Sequence, residues 1–529
     1  MIFLLVLAAW LNRFILDDAF ISFDYSRNLA EGRGLIWNTG ERVEGYTNFL
    51  WTVLMAVPFR LELDPVICSM ILGMIFFVTS LVFAYKLGCS VFGSKQWGLL
   101  LPLLLGTNYS FNAFATGGME TQMQAALIIA AAYFVFDFAG SMEASRLKMA
   151  GLSLLFGALI LTRLDSVIPV FFLESIAVFT IMKMGGSANK PALLSCLILP
   201  AAAAAGTWLA WKRVFYGDIL PNTFYAKAFQ PTSILRGLYY CHEFFLSYWL
   251  WPFAFFFAAA FRKFVRVSPL ALKISSLVVI VWCFYIIRVG GDFMEFRFFV
   301  PVLPFIFLII IWLMAGFIEQ SEIRTAFVIL IIAGSVHHGL VFGKALKNTR
   351  GIQSIRSLKA VNCKEYQDWS NTGRALASLF DGQDISIATT AAGAIPFYSR
   401  LRTIDMCGLN DKWIARRGLI ISSRPGHQRI ATLDYMIAKE VNLVIGHPRI
   451  VPSAFLFNPE NPEKTLKYFD IKGDKNKLPP QTEVVEIPIN SRVKLLALYL
   501  ARNSFIDELI NSGRFKSTEI FQPQAPPKN

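Results

Sequence analysis

Residues 65–87 read PVICSMILGMIFFVTSLVFAYKL, with no charged side chain before Lys86. A helix needs about 20 apolar residues to cross ~30 Å of hydrocarbon. This stretch has that length and is expected to be a membrane helix. Working outward, the pattern recurs at Met1–Leu16, Trp97–Thr107 with its flanks, Thr121–Phe138, Met149–Leu164, Ser166–Met182, Ala192–Trp211, Tyr239–Phe261, Leu270–Ile287, Phe298–Phe317 and Ala326–Phe342. The expectation is an α-helical polytopic membrane protein with about 11 transmembrane helices. Phe49–Phe59 is too short to span and is expected in the interface. The first span holds Asn12 and Arg13 and has no small-residue cleavage site, so it reads as an anchor or as a helix shortened by a misplaced start.

Composition agrees. Of 529 residues 55% are hydrophobic and 16% charged, and mean hydropathy is +0.51. An ordinary soluble domain carries about 25% charge. Too few polar side chains exist to cover one large soluble globule, and disorder, collagen and coiled coil are excluded on the same ground. The 48 Phe and 12 Trp suit lipid-facing and interfacial surface.

Polarity changes near residue 342. Residues 1–342 hold 23 Lys/Arg against 19 Asp/Glu, whereas residues 343–529 hold 27 against 17. The expected division is a membrane domain over 1–342, a water-soluble domain over 343–521 and a Pro-rich disordered tail over 522–529. In the soluble part DISIATT (384–390) and residues 442–445 read as strands, and residues 365–380 and 431–439 as helices, which predicts a small α/β domain. A basic domain tethered to a bilayer suits anionic headgroups or lipid-linked substrates. Nucleic acid is not an expected partner, because no basic run or binding motif is present. The seven Cys include no CxxC and no metal-ligand set. Cys363 and Cys407 are free to pair or to remain thiols.

An odd helix count puts the termini on opposite sides. With the N-terminus inside, the inner turns hold Lys86, Lys95, Arg146, Lys148, Lys183, Lys190, Arg262, Lys263, Arg266 and Arg324, as the positive-inside rule expects. The outer connections then hold Asp17-Asp18, Gly117-Gly118-Met119-Glu120, Arg163-Leu164-Asp165, Tyr216–Phe224 and Gly290-Gly291-Asp292 with Glu295 and Arg297. One face thus collects carboxylates, arginines and Gly turns. It also carries nearly as many basic residues as the inner face.

Ionisable groups at a membrane boundary are functional candidates. Asp17 or Asp18 suits a proton acceptor for a hydroxyl nucleophile; an equally good reading is a pair that ends one helix and caps the next. Arg288 and Arg297 suit phosphate, or are flanking arginines that snorkel. Arg163 and Asp165 suit a simple charge pair, and Glu120 a first-turn acid. His337 and His338 are adjacent and face different ways, so no metal pair is expected. His427, in Arg424-Pro425-Gly426-His427, is a loop candidate for substrate contact. No HExxH, Walker A, GxGxxG or nucleophile elbow is present, against a nucleotide-driven pump or a serine hydrolase.

Asp17–Trp51, DDAFISFDYSRNLAEGRGLIWNTGERVEGYTNFLW, resembles the first outer loop of the GT-C superfamily of membrane glycosyltransferases, and in particular the mycobacterial terminal arabinofuranosyltransferase (AftB) family and its bacterial relatives. TRLD (162–165), YGDILPNTFYAK (216–227), GGDFMEFRFFVP (290–301) and AGAIPFYSRLRTIDMCGLND (392–411) match in the same order. The resemblance covers nearly the whole chain. It implies a polyprenyl-phosphate sugar donor, an inverting transfer, an active site on the extracytoplasmic face of the bacterial inner membrane and a soluble C-terminal α/β domain. It places the catalytic carboxylate in Asp17-Asp18. The short first helix departs from the family.

On that resemblance Asp17 or Asp18 is the base, and Arg297, Arg288 and Arg163 hold the donor phosphate. Glu44, Tyr46, Asn48, Glu120, Asp165, Asn222, Asp292, Glu295 and His427 are candidates for sugar or acceptor contact, with Asp292 and Glu295 also able to orient the arginines. Trp37 is a candidate for stacking and Trp51 is expected at the interface. The acceptor is a cell-envelope glycan or glycolipid, the sugar a pentose such as arabinofuranose or a hexose, and no cofactor is required. The alternatives are a flippase or exporter of lipid-linked sugars, and a protein O-glycosyltransferase on the same scaffold.

Overall fold

The structure, a computed structural model, describes all residues except 186–188, 228–230, 344–350, 362–367, 460 and 521–529, and leaves the side chains of 231 and 232 undescribed. The expected tail 522–529 and Cys363 lie outside the described residues. The chain forms two compact units: Met1–Ile15, Thr47–Ile219 and Phe229–Ser357 make one, and Leu16–Tyr46, Leu220–Ala228 and Leu358–Asn529 the other. They interleave along the chain instead of dividing once near residue 342.

The first unit is helical. Each expected span contains helix, but six helices are long and apolar enough to cross a membrane: Pro65–Phe92, Thr121–Ser141, Leu164–Lys183, Lys190–Tyr216, Leu270–Val289 and Ser321–Val341. Among the described residues this is fewer than the eleven expected. Ile2–Leu11 and Leu303–Phe317 are apolar but short; 15 residues rise only about 22 Å. Lys95–Thr107 and Arg146–Thr162 also fall short, with 13 and 17 residues. The span expected at Tyr239–Phe261 is broken. Its two helices, Ser233–Ser247 and Trp251–Val267, meet at 101°, and counting the pair as one span gives seven. Trp249 at the break has φ 56°, a left-handed conformation that interrupts the helical hydrogen-bond ladder.

Helices in lipid gain little from the hydrophobic effect and associate through close packing at small residues. The Pro65–Phe92 helix ends on left-handed Gly93, and Ser94 caps the next helix through the Trp97 N–H. The resulting hairpin is so tight that a Cβ on Gly88 would lie 2.9 Å from the Gly98 α-carbon. Trp282 is buried, and its indole donates to the Phe298 carbonyl (2.7 Å), which fixes the loop after Leu270–Val289.

The second unit is built on a six-stranded sheet of order β2-β1-β5-β7-β6-β8. The strands are β1 Ser386–Thr389, β2 Arg402–Asp405, β5 Leu443–Pro452, β6 Glu483–Pro488, β7 Val493–Tyr499 and β8 Lys516–Glu519; β3 Leu419–Ile420 and β4 Arg429–Ile430 form a separate hairpin. β1 runs parallel to β2 and β5, and the remaining pairs of the sheet are antiparallel. The expected strands at 384–390 and 442–445 fall on β1 and β5. The expected helices fall on Trp369–Leu379 and Leu433–Ala438. One sheet face packs on Leu433, Met436, Phe469 and Leu498, the other on Leu376, Phe380, Ile506 and Leu509. The 14-residue helix Asp17–Ala30 belongs to this unit.

Candidate active site

Strand order reverses at β1: the chain leaves β1 for β2 on one side, and β5 lies on the other. Loops leaving the carboxyl ends of parallel strands diverge at such a point and form a crevice for ligands. The loop after β1 runs to Gly393 and Ala394, and Asp17 is anchored there. The Ala394 N–H donates to Asp17 Oδ1 (2.8 Å) and the Gly393 N–H to Oδ2 (3.2 Å). Burial raises the Asp17 pKa to about 7; the two N–H donors pull it down and the neighbouring Asp18 pushes it up. Asp17 and Asp18 form the first turn of Asp17–Ala30, where the helix dipole favours negative charge.

The rest of this acidic segment is also tied to the sheet. Arg27 pairs with Asp24 and donates to the Phe397 carbonyl (2.7 Å), its guanidinium lying over the Phe397 ring. Asn38 exchanges two hydrogen bonds with Thr403 on β2 (2.8 and 3.2 Å). Tyr25 donates from its hydroxyl to the Val43 carbonyl and accepts from the Gly45 N–H, and Tyr46 packs edge-on against it at 4.8 Å. Glu44 is buried, and its carbonyl accepts from the Asn222 N–H. The Asn222 amide donates toward the carbonyls of Gly408, Leu409 and Asp411 (2.9–3.1 Å), so this candidate for acceptor contact is engaged in holding the 408–411 loop. His427 lies in the β3–β4 connection, Nδ1 3.4 Å from the Pro425 carbonyl.

The helical unit holds the other candidates. Glu120 accepts from Arg163 Nη1 (2.6 Å) and from Asn48 Nδ2 (2.7 Å). Arg163 also grips Asp165 through Nε and Nη2 (2.7–3.1 Å), and Gln124 and Tyr285 donate to the same carboxylate. Arg297 donates through Nε to Asp292 (2.8 Å) and packs Nη1 against the Met119 sulfur. Both guanidiniums lie over one ring: the Arg163 and Arg297 carbons are 5.7 and 5.4 Å from the centre of Phe298. The structure thus brings Arg163, Arg297, Glu120, Asp165, Asp292 and Asn48 together in this unit. Arg288, in the last turn of Leu270–Val289, is exposed. Glu295 does not orient an arginine: it pairs with His338 Nε2 (2.7 Å) and accepts the Ile355 N–H (2.7 Å). Trp51 is fully buried, donating to the Gly118 carbonyl, and is not at an interface.

Several participants carry no local signal. Gln124, Tyr285 and Phe298 lie inside apolar helix or aromatic runs. Asp405 ends β2 and gathers the N–H groups of Cys407 and Asn410 (3.0 and 2.8 Å); burial lifts its pKa to about 6. A strand ending in Asp before Cys-Gly was the available hint. Among the described residues no three His, Cys, Asp or Glu side chains are grouped to hold a metal.

Over 94% of this chain and 96% of the other, the structure is similar to that of ArnT from Cupriavidus metallidurans bound to undecaprenyl phosphate, with TM-score 0.54 at 12% identity. The fold is of the GT-C type. The archaeal oligosaccharyltransferase AglB from Archaeoglobus fulgidus, in complex with an inhibitory peptide and a dolichol-phosphate, matches all of this chain and 74% of its own, with TM-score 0.50 at 10% identity. By sequence, the chain is 24% identical over 325 residues to a terminal beta-(1->2)-arabinofuranosyltransferase of Mycobacterium tuberculosis, covering 55% of this chain and 51% of that one. The protein of the same name from Corynebacterium glutamicum is 26% identical over 323 residues, covering 55% and 46%. The chain spans about half the length of these curated relatives. Residues 356–494 match a family described as a domain of unknown function (DUF8728). The long apolar helices mark a multi-pass membrane protein, its fold similar to that of ArnT and carrying a C-terminal α/β domain.

Proposed function

We propose that the protein is an inverting glycosyltransferase that moves a sugar from a polyprenyl-phosphate donor to a cell-envelope glycan or glycolipid. The names of its sequence relatives favour arabinofuranose as the sugar. The observation that carries the reading is Asp17: a carboxylate held at the strand-order reversal with its pKa lifted to about 7. A general base works best with a pKa near the operating pH.

In the proposed step the acceptor hydroxyl oxygen attacks the anomeric carbon. Its proton passes to Asp17, with Asp18 the other candidate. The bond from that carbon to the phosphate oxygen breaks, and polyprenyl phosphate leaves with the electron pair. Arg297, oriented by Asp292, stabilises the charge growing on the phosphate. Arg163 is committed to Glu120 and Asp165, which suits it to shaping the site beside Phe298. Arg288 is a further candidate for phosphate contact. Glu44, Tyr46, Asn48 and His427 are candidates for sugar contact. The step needs no nucleotide and no cofactor. The resemblance to the arabinofuranosyltransferases favours an extracytoplasmic acid pair and α/β unit.

The test is transfer by the purified full chain in lipid nanodiscs, supplied with a panel of polyprenyl-phosphate sugars and an arabinan acceptor. Wild type transfers one sugar with inversion. Asp17→Asn folds but loses transfer ~10²–10⁴-fold. No transfer from any donor, or full activity in both Asp17→Asn and Asp18→Asn, overturns the reading.

A further inference from the structure

β3 and β4 stand outside the six-stranded sheet as a two-stranded ribbon. Leu419 pairs with Ile430 and Ile420 with Arg429, and the Ile421 N–H donates to the Gln428 carbonyl (2.8 Å). Successive side chains of a strand point to opposite faces, so a ribbon packed on a core hides every second one. Ile430 is buried in that way, yet Leu419, Ile420 and Ile421 are 46, 53 and 47% exposed. Single exposed aliphatics are ordinary, but three in a row along one strand mark a contact surface.

The surrounding chemistry selects the partner. From Lys412 to Ile430 the sequence KWIARRGLIISSRPGHQRI holds five cations, Lys412, Arg416, Arg417, Arg424 and Arg429, and no carboxylate. Lys412 and Arg417 are exposed on the helix Lys412–Arg417, which leads into β3. The Arg429 Nη1 donates to the Gly418 carbonyl (2.8 Å) and fixes the start of the ribbon. The nearest acid in sequence, Asp411, caps that helix and accepts from the Tyr435 hydroxyl (2.8 Å). An apolar strip bordered by cations suits an anionic bilayer, where aliphatic side chains insert and cations meet the headgroups.

The covalent path runs the same way. Arg416 lies over the Tyr225 ring (4.0 Å), so the helix that carries the ribbon packs on the segment Asn222–Ala226. Asn222 is six residues past the end of the apolar helix Lys190–Tyr216, and six residues of chain reach at most about 22 Å. Ile219, Leu220 and Phe224, in and just beyond this tether, are 48, 38 and 59% exposed. Uncovered apolar side chains thus accompany the chain from a membrane span to the base of the ribbon.

We propose that the β3–β4 ribbon inserts Leu419, Ile420 and Ile421 into the headgroup region of an anionic bilayer, with Lys412 and Arg417 against the lipid phosphates. The ribbon is then a second attachment of the α/β unit to the membrane, besides its covalent links. This role does not depend on the transfer chemistry.

The test is electron paramagnetic resonance on the full chain, one copy per nanodisc, with a nitroxide at Ile420→Cys or, as control, at Ser517→Cys on exposed β8, each corrected for the labelled parent protein. Oxygen concentrates in lipid and a nickel chelate in water. In phosphatidylcholine with about one third phosphatidylglycerol, the preference for oxygen over nickel at 420 exceeds that at 517 by at least about three-fold. Pure phosphatidylcholine, or Lys412→Glu with Arg417→Glu in a protein of unchanged circular dichroism, removes most of that difference. Nickel access at 420 equal to that at 517 overturns the proposal. So does low collision with both reagents, because a protein surface then covers the ribbon. A preference that survives both neutral lipid and the charge reversal overturns the anionic partner.

Discussion

Gly393 leaves no room for a side chain beside Asp17: a Cβ there would lie 2.6 Å from the Asp17 carboxyl carbon and closer still to its carbonyl oxygen. The carboxylate that accepts the Gly393 N–H therefore also forbids any other residue at 393. Gly393→Ala is expected to push Asp17 off the crevice and lower transfer by more than ten-fold. Overpacking of this kind costs about 1–3 kcal/mol, so the variant still folds with a reduced Tm. Wild-type activity in a folded Gly393→Ala protein would show that Asp17 has no catalytic placement to lose.

The raised pKa of Asp17 predicts a pH profile. A base near 7 must lose its proton to act, so kcat/KM rises with pH and levels off above about 7. Asp18→Asn removes a like charge that holds the Asp17 pKa up, so the acid limb shifts to lower pH while activity persists. Abolished activity in Asp18→Asn would transfer the role of base to Asp18. Stability moves the opposite way. A carboxyl whose folded pKa exceeds its unfolded value binds more protons when folded, so its contribution is fully present below about 4 and is lost as pH rises through about 7. Asp24 and Asp405, both raised to about 6 by burial, act in the same direction. Asp17→Asn should flatten the fall in Tm between pH 5 and pH 8, chosen as roughly bracketing this titration.

The Arg163 cluster makes a separate prediction about stability. Its guanidinium satisfies two carboxylates in a fixed fork, which a lysine cannot reproduce. Removing one partner of a buried pair costs about 3–5 kcal/mol. Arg163→Ala should therefore lower Tm in nanodiscs more than the double variant Arg163→Met with Glu120→Gln, which leaves fewer carboxylates uncompensated. Equal Tm values would mean that water already solvates the cluster.

What the sequence revealed follows from which physics is local. Hydrophobic runs are local, so every expected span contains helix, and so do 365–380 and 431–439. Their ability to cross is less local: it depends on breaks such as left-handed Trp249, which no run of Phe and Trp announces. Members of the buried polar clusters were legible where a charge stood at the edge of an apolar run, as at Asp17, Arg163 and Arg297. They were illegible where the partner is distant in sequence. Asp17 meets Gly393 across 376 positions, and the membership of 16–46 in the α/β unit was not expected. Trp51 was assigned to an interface because Trp is common there, and its burial reflects a hydrogen bond to the Gly118 carbonyl.

Asp292 and Glu295 were expected to act alike, and the structure separates them. Asp292 fixes Arg297 through Nε, whereas Glu295 faces His338 and the Ile355 N–H. Asp292→Asn exchanges a charge-assisted bond for a neutral one, about half as strong, and releases Arg297 from its orientation. It should raise KM for the lipid donor several-fold while leaving KM for the acceptor unchanged. Glu295→Gln keeps an acceptor for Ile355 and leaves Arg297 alone, so donor KM should hold while Tm falls. The measurement is donor and acceptor KM with Tm on each variant. If Glu295→Gln raises donor KM as much as Asp292→Asn does, the two carboxylates act on the donor together, and the His338 pairing is not what keeps Glu295 in place.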